Sequence, residues 1–193
     1  MDISKNYLDN ILPALKNAVI KSSSEIMDIY HSNNLGKKDK GDGSPVTIAD
    51  LAANEIIMKA LKAISPEIPV ISEETYSNDL LNHNHKLFWI VDPLDGTREF
   101  INKSKEFTVN IGLMRNGKPI FGIVGAPFSG EIWSGSIFDS AEIEQKEVDA
   151  DTSLRIVMSK SHQTDVDKSF LDFLRVKGIS FSIIEKGSSL KIC

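Results

Sequence analysis

Between residues 6 and 31 the apolar positions Tyr7, Leu8, Ile11, Leu12, Leu15, Val19, Ile26 and Ile29 recur near the helical period, which predicts a helix with one buried face. Pro13 either kinks this helix or marks its true beginning. From Asn33 to Ser44 the pattern stops, and a polar, charged, glycine-bearing stretch predicts a mobile loop or an irregular hairpin. A second helix is predicted from Thr47 to about Ala63, with Thr47 as N-cap and Asp50 three residues later. Val70-Ile71-Ser72 reads as a short strand ending at Glu73-Glu74. Leu87 to Val91 reads as a short buried strand that runs into the turn-forming residues Asp92-Pro93-Leu94-Asp95-Gly96, with a short helix from Thr97 to Asn102. Phe107–Met114 and Pro119–Val124 flank Asn116-Gly117, a strong hairpin signal, and Glu131–Phe138 continues the meander.

Residues 139 to 152 are polar and acidic, as a solvent loop or a domain boundary would be. Beyond them a strand (Leu154–Met158), a helix (Asp165–Val176) and a strand (Ile179–Ile184) predict the opening of an α/β layer. Gly187 to Cys193 looks like the start of a further element. The whole therefore reads as an α/β chain in two parts. Residues 1–150 form an α+β domain of two long helices on an antiparallel sheet. Residues 151–193 begin an α/β domain whose layers stay incomplete.

Composition narrows the function classes. The 193 residues are 41% hydrophobic and 25% charged, ordinary for a globular protein. A net charge of −5 argues against a nucleic-acid polymer as partner, which calls for a basic face. Bound cations would offset part of that charge. With Cys193 as the only cysteine there is no internal disulfide, in keeping with a reducing compartment. The N-terminus has no basic-then-apolar signal pattern, and no apolar run approaches the roughly 18 residues of a transmembrane segment. The expected location is cytoplasmic, the periphery of an inner membrane included.

Four acids fall at strand or helix ends: Asp50, Glu73, Asp92 and Asp95. Hydrolysis of a phosphate ester with Mg²⁺ needs oxygen ligands that hold two cations roughly 3.5–4 Å apart. Asp92 could bridge both, Glu73 and the Leu94 carbonyl could complete one site, and Asp95 the other. Thr97, at a helix start, could orient a water or a phosphate oxygen. Each residue also has a plainer reading. Asp50 could simply cap its helix, a role compatible with activating water. Glu73-Glu74 could be a solvated pair, and Asp92 to Gly96 an ordinary turn. Three separate element ends carrying acids toward one cleft favour the metal reading.

Asp92-Pro-Leu-Asp-Gly-Thr97, preceded by Trp89-Ile-Val, resembles the first signature of the Mg²⁺-dependent, Li⁺-sensitive phosphatases typified by inositol monophosphatase. Val70-Ile-Ser-Glu-Glu74 and Ser44-Pro-Val-Thr-Ile-Ala-Asp50 match two further family segments in order. Thr97-Arg-Glu-Phe-Ile101, Met158-Ser-Lys-Ser-His162 and Gly187-Ser-Ser-Leu-Lys-Ile-Cys193 are similar to the CysQ-like branch, the 3′(2′),5′-bisphosphate nucleotidases. The resemblance implies the layered α-β-α-β-α sugar-phosphatase fold and two or three Mg²⁺ ions held by Glu73, Asp92, Asp95 and the Leu94 carbonyl. It implies that Asp50 and Thr97, with Glu73, serve catalysis. Glu73, Leu94, Asp95 and the backbone of Gly96 and Thr97 would meet the scissile phosphate, and His162, Ser188 and Lys191 the nucleotide and its 5′-phosphate. The plainer readings of a capping or surface His162 and a solvated Lys191 stand beside these.

The implied substrate is a small phosphate ester, adenosine 3′,5′-bisphosphate, cleaved to AMP and phosphate by a monomer or homodimer. The alternatives are an inositol monophosphatase or other sugar phosphatase, and a non-catalytic metal- or partner-binding module. One departure bears on activity. The family's second signature, a Trp-Asp pair supplying a further metal ligand, is missing: Trp occurs only at 89 and 133, and neither precedes Asp. The expectation is a fragment or naturally shortened product with greatly weakened activity.

Overall fold

The computed structural model describes residues 3–32, 34–41, 43–75, 85–139, 153–160 and 163–193. Helix α1 spans Lys5–His31, capped at its start by the Ser4 hydroxyl, which accepts the Tyr7 N–H. Its inward residues Leu8, Leu15, Val19, Ile26 and Tyr30 keep the helical spacing of the sequence. Pro13 neither starts nor ends this helix. It sits on the exposed side of the interior, where water can satisfy the carbonyl its missing N–H leaves open. The stretch after α1 forms a minimal antiparallel hairpin, β1 (Lys38–Asp39) with β2 (Pro45–Val46).

Helix α2 (Ile48–Ile64) packs on α1 and buries Ala49, Asp50, Ala53, Asn54, Ile57 and Leu61 along one stripe. Both helices lie against a five-stranded sheet in the order β3 (Val70–Ser72), β4 (Leu87–Asp95), β5 (Thr108–Arg115), β6 (Lys118–Ala126), β7 (Glu131–Ser136). Asn116 and Gly117, at φ 51° and 75°, turn β5 into β6, the left-handed pair that a tight hairpin requires. The sheet is not wholly antiparallel as expected: β3 runs parallel to β4, Val70 beside Trp89 and Ser72 beside Val91. Residues 73–86 lead from one strand to the other, and residues 76–84 lie outside the described residues.

Strand β4 also departs from the sequence reading. It continues through Asp92 to Asp95, with a bulge between those two aspartates rather than a turn. Pro93 has no N–H to give a ladder, so a bulge is where a strand tolerates it. The strand is buried on one face only, since Trp89 and Val91 are sealed while Ile90 is 47% exposed. Trp89 is anchored by its indole N–H, which donates to Ser65 Oγ at 2.8 Å.

Beyond residue 152 follow β8 (Leu154–Ser159), α4 (Asp165–Val176) and β9 (Phe181–Lys186), whose strands pair in parallel as a two-stranded sheet of their own. The expected αβ order is therefore present. The polar stretch 140–152 lies outside the described residues. A short 3-10 turn, Ser189–Lys191, follows β9. No helix among the described residues is long and apolar enough to cross a membrane.

Candidate functional site

The bulge of β4, the start of α2, the end of β3 and the 3-10 turn meet at one end of the sheet. Asp50 sits in the first turn of α2, 1% exposed. Its Oδ2 accepts the Thr47 N–H at 2.7 Å and the Thr47 hydroxyl at 2.6 Å, so it does cap its helix. Its other oxygen reaches across the fold, accepting the Thr97 hydroxyl at 3.0 Å. That hydroxyl also lies 3.1 Å from the Leu94 carbonyl. One hydroxyl proton serves only one of these acceptors at a time. Burial raises the Asp50 carboxyl above the ordinary range, against the opposing pull of the Thr47 and Thr97 hydrogen bonds.

Asp92 lies between Glu73 and Asp95. Burial first, then the negative charge of Glu73 and Asp95 and a hydrogen bond with Glu73, push it up to about 8. Carboxylates crowded in this way call for a compensating cation. A cation from the chain already stands there: the Lys40 ammonium, from the residue after β1, contacts Glu73 Oε1 at 2.9 Å and Glu74 Oε1 at 2.7 Å. The donor set is all hard oxygen, which suits Mg²⁺. Among the described residues no three His, Cys, Asp or Glu side chains close on a single point as a finished cage would. The fit is thus one of donor chemistry, with Glu73 turned to Lys40.

Gly96 caps the five-residue helix α3 (Thr97–Ile101) at φ 92°. A side chain there would press the Glu106 carbonyl at 3.0 Å and the Ser188 side chain at 3.2 Å, so glycine lets two segments touch. Between them opens a pocket of about 230 Å³ lined by Ser44, Glu73, Asp95, Thr97, Ser188 and Lys191, among others. Ser188 is buried with φ 48°, and the Lys191 ammonium folds back onto the Ser188 carbonyl.

The expected residues Asp50, Glu73, Asp92, Leu94, Asp95, Gly96, Thr97, Ser188 and Lys191 therefore share one neighbourhood. His162 lies outside the described residues. The sequence reading missed Lys40, Glu74, Thr108, Asn110 and Ser189. Asn110 alone left a signal, as a poor strand former inside the apolar run Val109–Leu113.

The sequence pattern of the inositol monophosphatase family matches residues 7–193. A 3′(2′),5′-bisphosphate nucleotidase CysQ of Buchnera aphidicola (subsp. Acyrthosiphon pisum, strain APS) is 41% identical over 177 residues, which cover 87% of this chain and 64% of that protein. The CysQ of Escherichia coli (strain K12) is 36% identical over 195 residues, covering 96% of this chain and 75% of its own. The crystal structure of CysQ from Bacteroides thetaiotaomicron, described as a bacterial member of the inositol monophosphatase family, superposes with a TM-score of 0.76. It is 32% identical, with 96% of this chain and 75% of that one covered. The chain thus spans about two thirds to three quarters of the length of these proteins.

Proposed function

Because the chain belongs to the inositol monophosphatase family, we propose that its acidic cleft hydrolyses the 3′-phosphate of adenosine 3′,5′-bisphosphate to AMP and phosphate. The observation that carries this reading is the Thr97 hydroxyl between Asp50 Oδ1 and the Leu94 carbonyl, beside the bulge that presents Asp92 and Asp95. A base, a relay and ligand oxygens then stand within one cleft. Relatives named as 3′(2′),5′-bisphosphate nucleotidases support the choice of substrate.

Glu73, Asp92, Asp95 and the Leu94 carbonyl would hold Mg²⁺. Bound there, Mg²⁺ neutralises the charge that develops on the phosphoryl oxygens. The remaining work belongs to the chain. Asp50 takes the proton of the attacking water through Thr97, and its raised proton affinity suits a general base. The backbone of Gly96 and Thr97 receives the phosphate. Ser188 and Lys191 would meet the rest of the nucleotide. The water oxygen joins phosphorus as the bond to the 3′-oxygen breaks, and the leaving oxygen ends protonated as the 3′-hydroxyl of AMP. Lys40 must release Glu73 for that residue to act as a ligand.

The test compares phosphate release from adenosine 3′,5′-bisphosphate and from inositol 1-phosphate, each with Mg²⁺, at high protein concentration. Faster release from the nucleotide is expected. Preference for inositol 1-phosphate would reassign the cleft to a sugar phosphatase. Release from neither would point to a non-catalytic module.

A further inference from the structure

Asp95 is gripped by three donors from two distant parts of the chain. Its Oδ2 accepts the Ser189 hydroxyl at 2.6 Å, and the Thr108 hydroxyl and Asn110 amide at 3.3 Å each. The Asn110 amide nitrogen also donates to Ser189 Oγ at 2.9 Å, so Asn110, Ser189 and Asp95 form a closed ring. The proton order in this ring is consistent. Ser189 gives its single proton to Asp95 and accepts from Asn110, which has two to give. The ring has a cost: Asn110 Oδ1 is buried without a partner among the described residues. Turning the amide over would relieve nothing, since it would set that oxygen against the Asp95 carboxylate. All three donors take one oxygen, so the other is the one left to face a cation.

Ser189 does not come from the sheet. It lies 94 residues after Asp95, in the turn that also carries Ser188 and Lys191. That segment is held at its entrance too. The Gly187 N–H donates to Glu106 Oε2 at 3.2 Å, and Lys160 and Lys186 pair with the same carboxylate at 3.8 and 3.4 Å. A side chain at Gly187 would collide with Glu99 and Glu106, so the approach is close.

We infer that Ser189 is a positioning residue: its hydroxyl fixes Asp95 and ties that carboxylate to the segment bearing Ser188 and Lys191. Setting the carboxylate and setting the nucleotide-facing segment are then one event, and Asn110 and Thr108 complete the seat. The inference rests on the reading of Asp95 as a Mg²⁺ ligand. Groups that orient a ligand in this way typically change metal affinity about 10- to 100-fold when removed.

The experiment is calorimetric titration with Mg²⁺ of the wild type and of Ser189→Ala, Ser189→Thr and Asp95→Asn, each with its thermal unfolding temperature recorded. KM for adenosine 3′,5′-bisphosphate is measured alongside. Ser189→Ala is expected to weaken Mg²⁺ binding roughly tenfold and to raise KM, with kcat less affected. Ser189→Thr, which keeps the hydroxyl, is expected to restore both. Wild-type Mg²⁺ affinity in Ser189→Ala, with binding lost in Asp95→Asn, would overturn the role of Ser189 and leave the site reading intact. Equal weakness of the Ala and Thr variants would also overturn it, because the hydroxyl would then not be the acting group. Unchanged binding in Asp95→Asn would overturn both.

Discussion

The chain contains the same local device twice, and the two copies do different things. Thr47-x-x-Asp50 opens α2 and Thr164-x-x-Asp167 opens α4, each as a capping box with reciprocal side-chain and backbone hydrogen bonds. In both, the acid accepts the threonine N–H at 2.7 Å. At the surface, hydrogen bonds from the Thr164 backbone and hydroxyl lower the Asp167 carboxyl below its ordinary range. In the core of the first region, burial outweighs the same bonds and raises Asp50. The inner box also gains a third partner, Thr97. A cap becomes a candidate base when the fold buries it and brings a hydroxyl to its free oxygen.

The surroundings differ in the same sense. The first region seals Leu15, Ile57, Trp89, Phe107 and Leu113 completely. In the second, Leu171 and Leu174 are the buried large apolar side chains among the described residues, while Phe170, Phe173 and Val176 are exposed. Polar contacts join the second region to the first, through Glu106 and the Asp95–Ser189 pair.

The contrast is broken most forcefully at the caps. Thr47→Ala is expected to cost about 2 kcal/mol, the upper end for a lost cap, because it also strips a buried carboxylate of a partner. Thr164→Ala at the surface is expected to cost about 0.5–1 kcal/mol. Urea denaturation of both variants measures the difference, and equal losses would mean that burial does not separate the boxes.

A smaller effect is the opposite pH response of the two acids. Asp167, with its proton affinity lowered, contributes stability above the ordinary value of 3.8 that is lost as pH falls through its depressed value. Asp50, with its affinity raised, contributes stability that is full below 3.8 and lost as pH rises through its folded value. Asp92 acts in the same sense as Asp50, its loss extending from 3.8 up to about 8. Thermal unfolding in EDTA across this range should show Asp167→Asn flattening the acid side, and Asp50→Asn and Asp92→Asn flattening the decline above it. A decline toward pH 8 that persists in Asp92→Asn would show that Asp92 is not its source.

Much of this is legible in the sequence itself. The spacing of Leu8, Leu15, Val19 and Ile26 marks α1, Asn116-Gly117 marks the β5–β6 hairpin, and the acids at element ends mark a candidate cleft. These signals are local, carried by residues a few positions apart. What stayed hidden is set by distance along the chain. Lys40 reaches Glu73 across 33 residues, and Ser189 reaches Asp95 across 94. Nothing in either neighbourhood announces its partner. The parallel edge strand β3 was hidden for the same reason, since pairing direction depends on the path of a long link. The bulge at Pro93 was hidden because Asp, Pro and Gly serve turns and bulged strands alike.

The buried box, and not its twin at the surface, is expected to carry the chemistry. Phosphate release from adenosine 3′,5′-bisphosphate with Mg²⁺, measured side by side for the wild type, Asp50→Asn and Asp167→Asn, tests it most directly. A loss of about 10²–10⁴-fold is expected for Asp50→Asn, with Asp167→Asn unchanged within about twofold, as for a surface substitution. Full activity in Asp50→Asn, or equal losses in both variants, would contradict it.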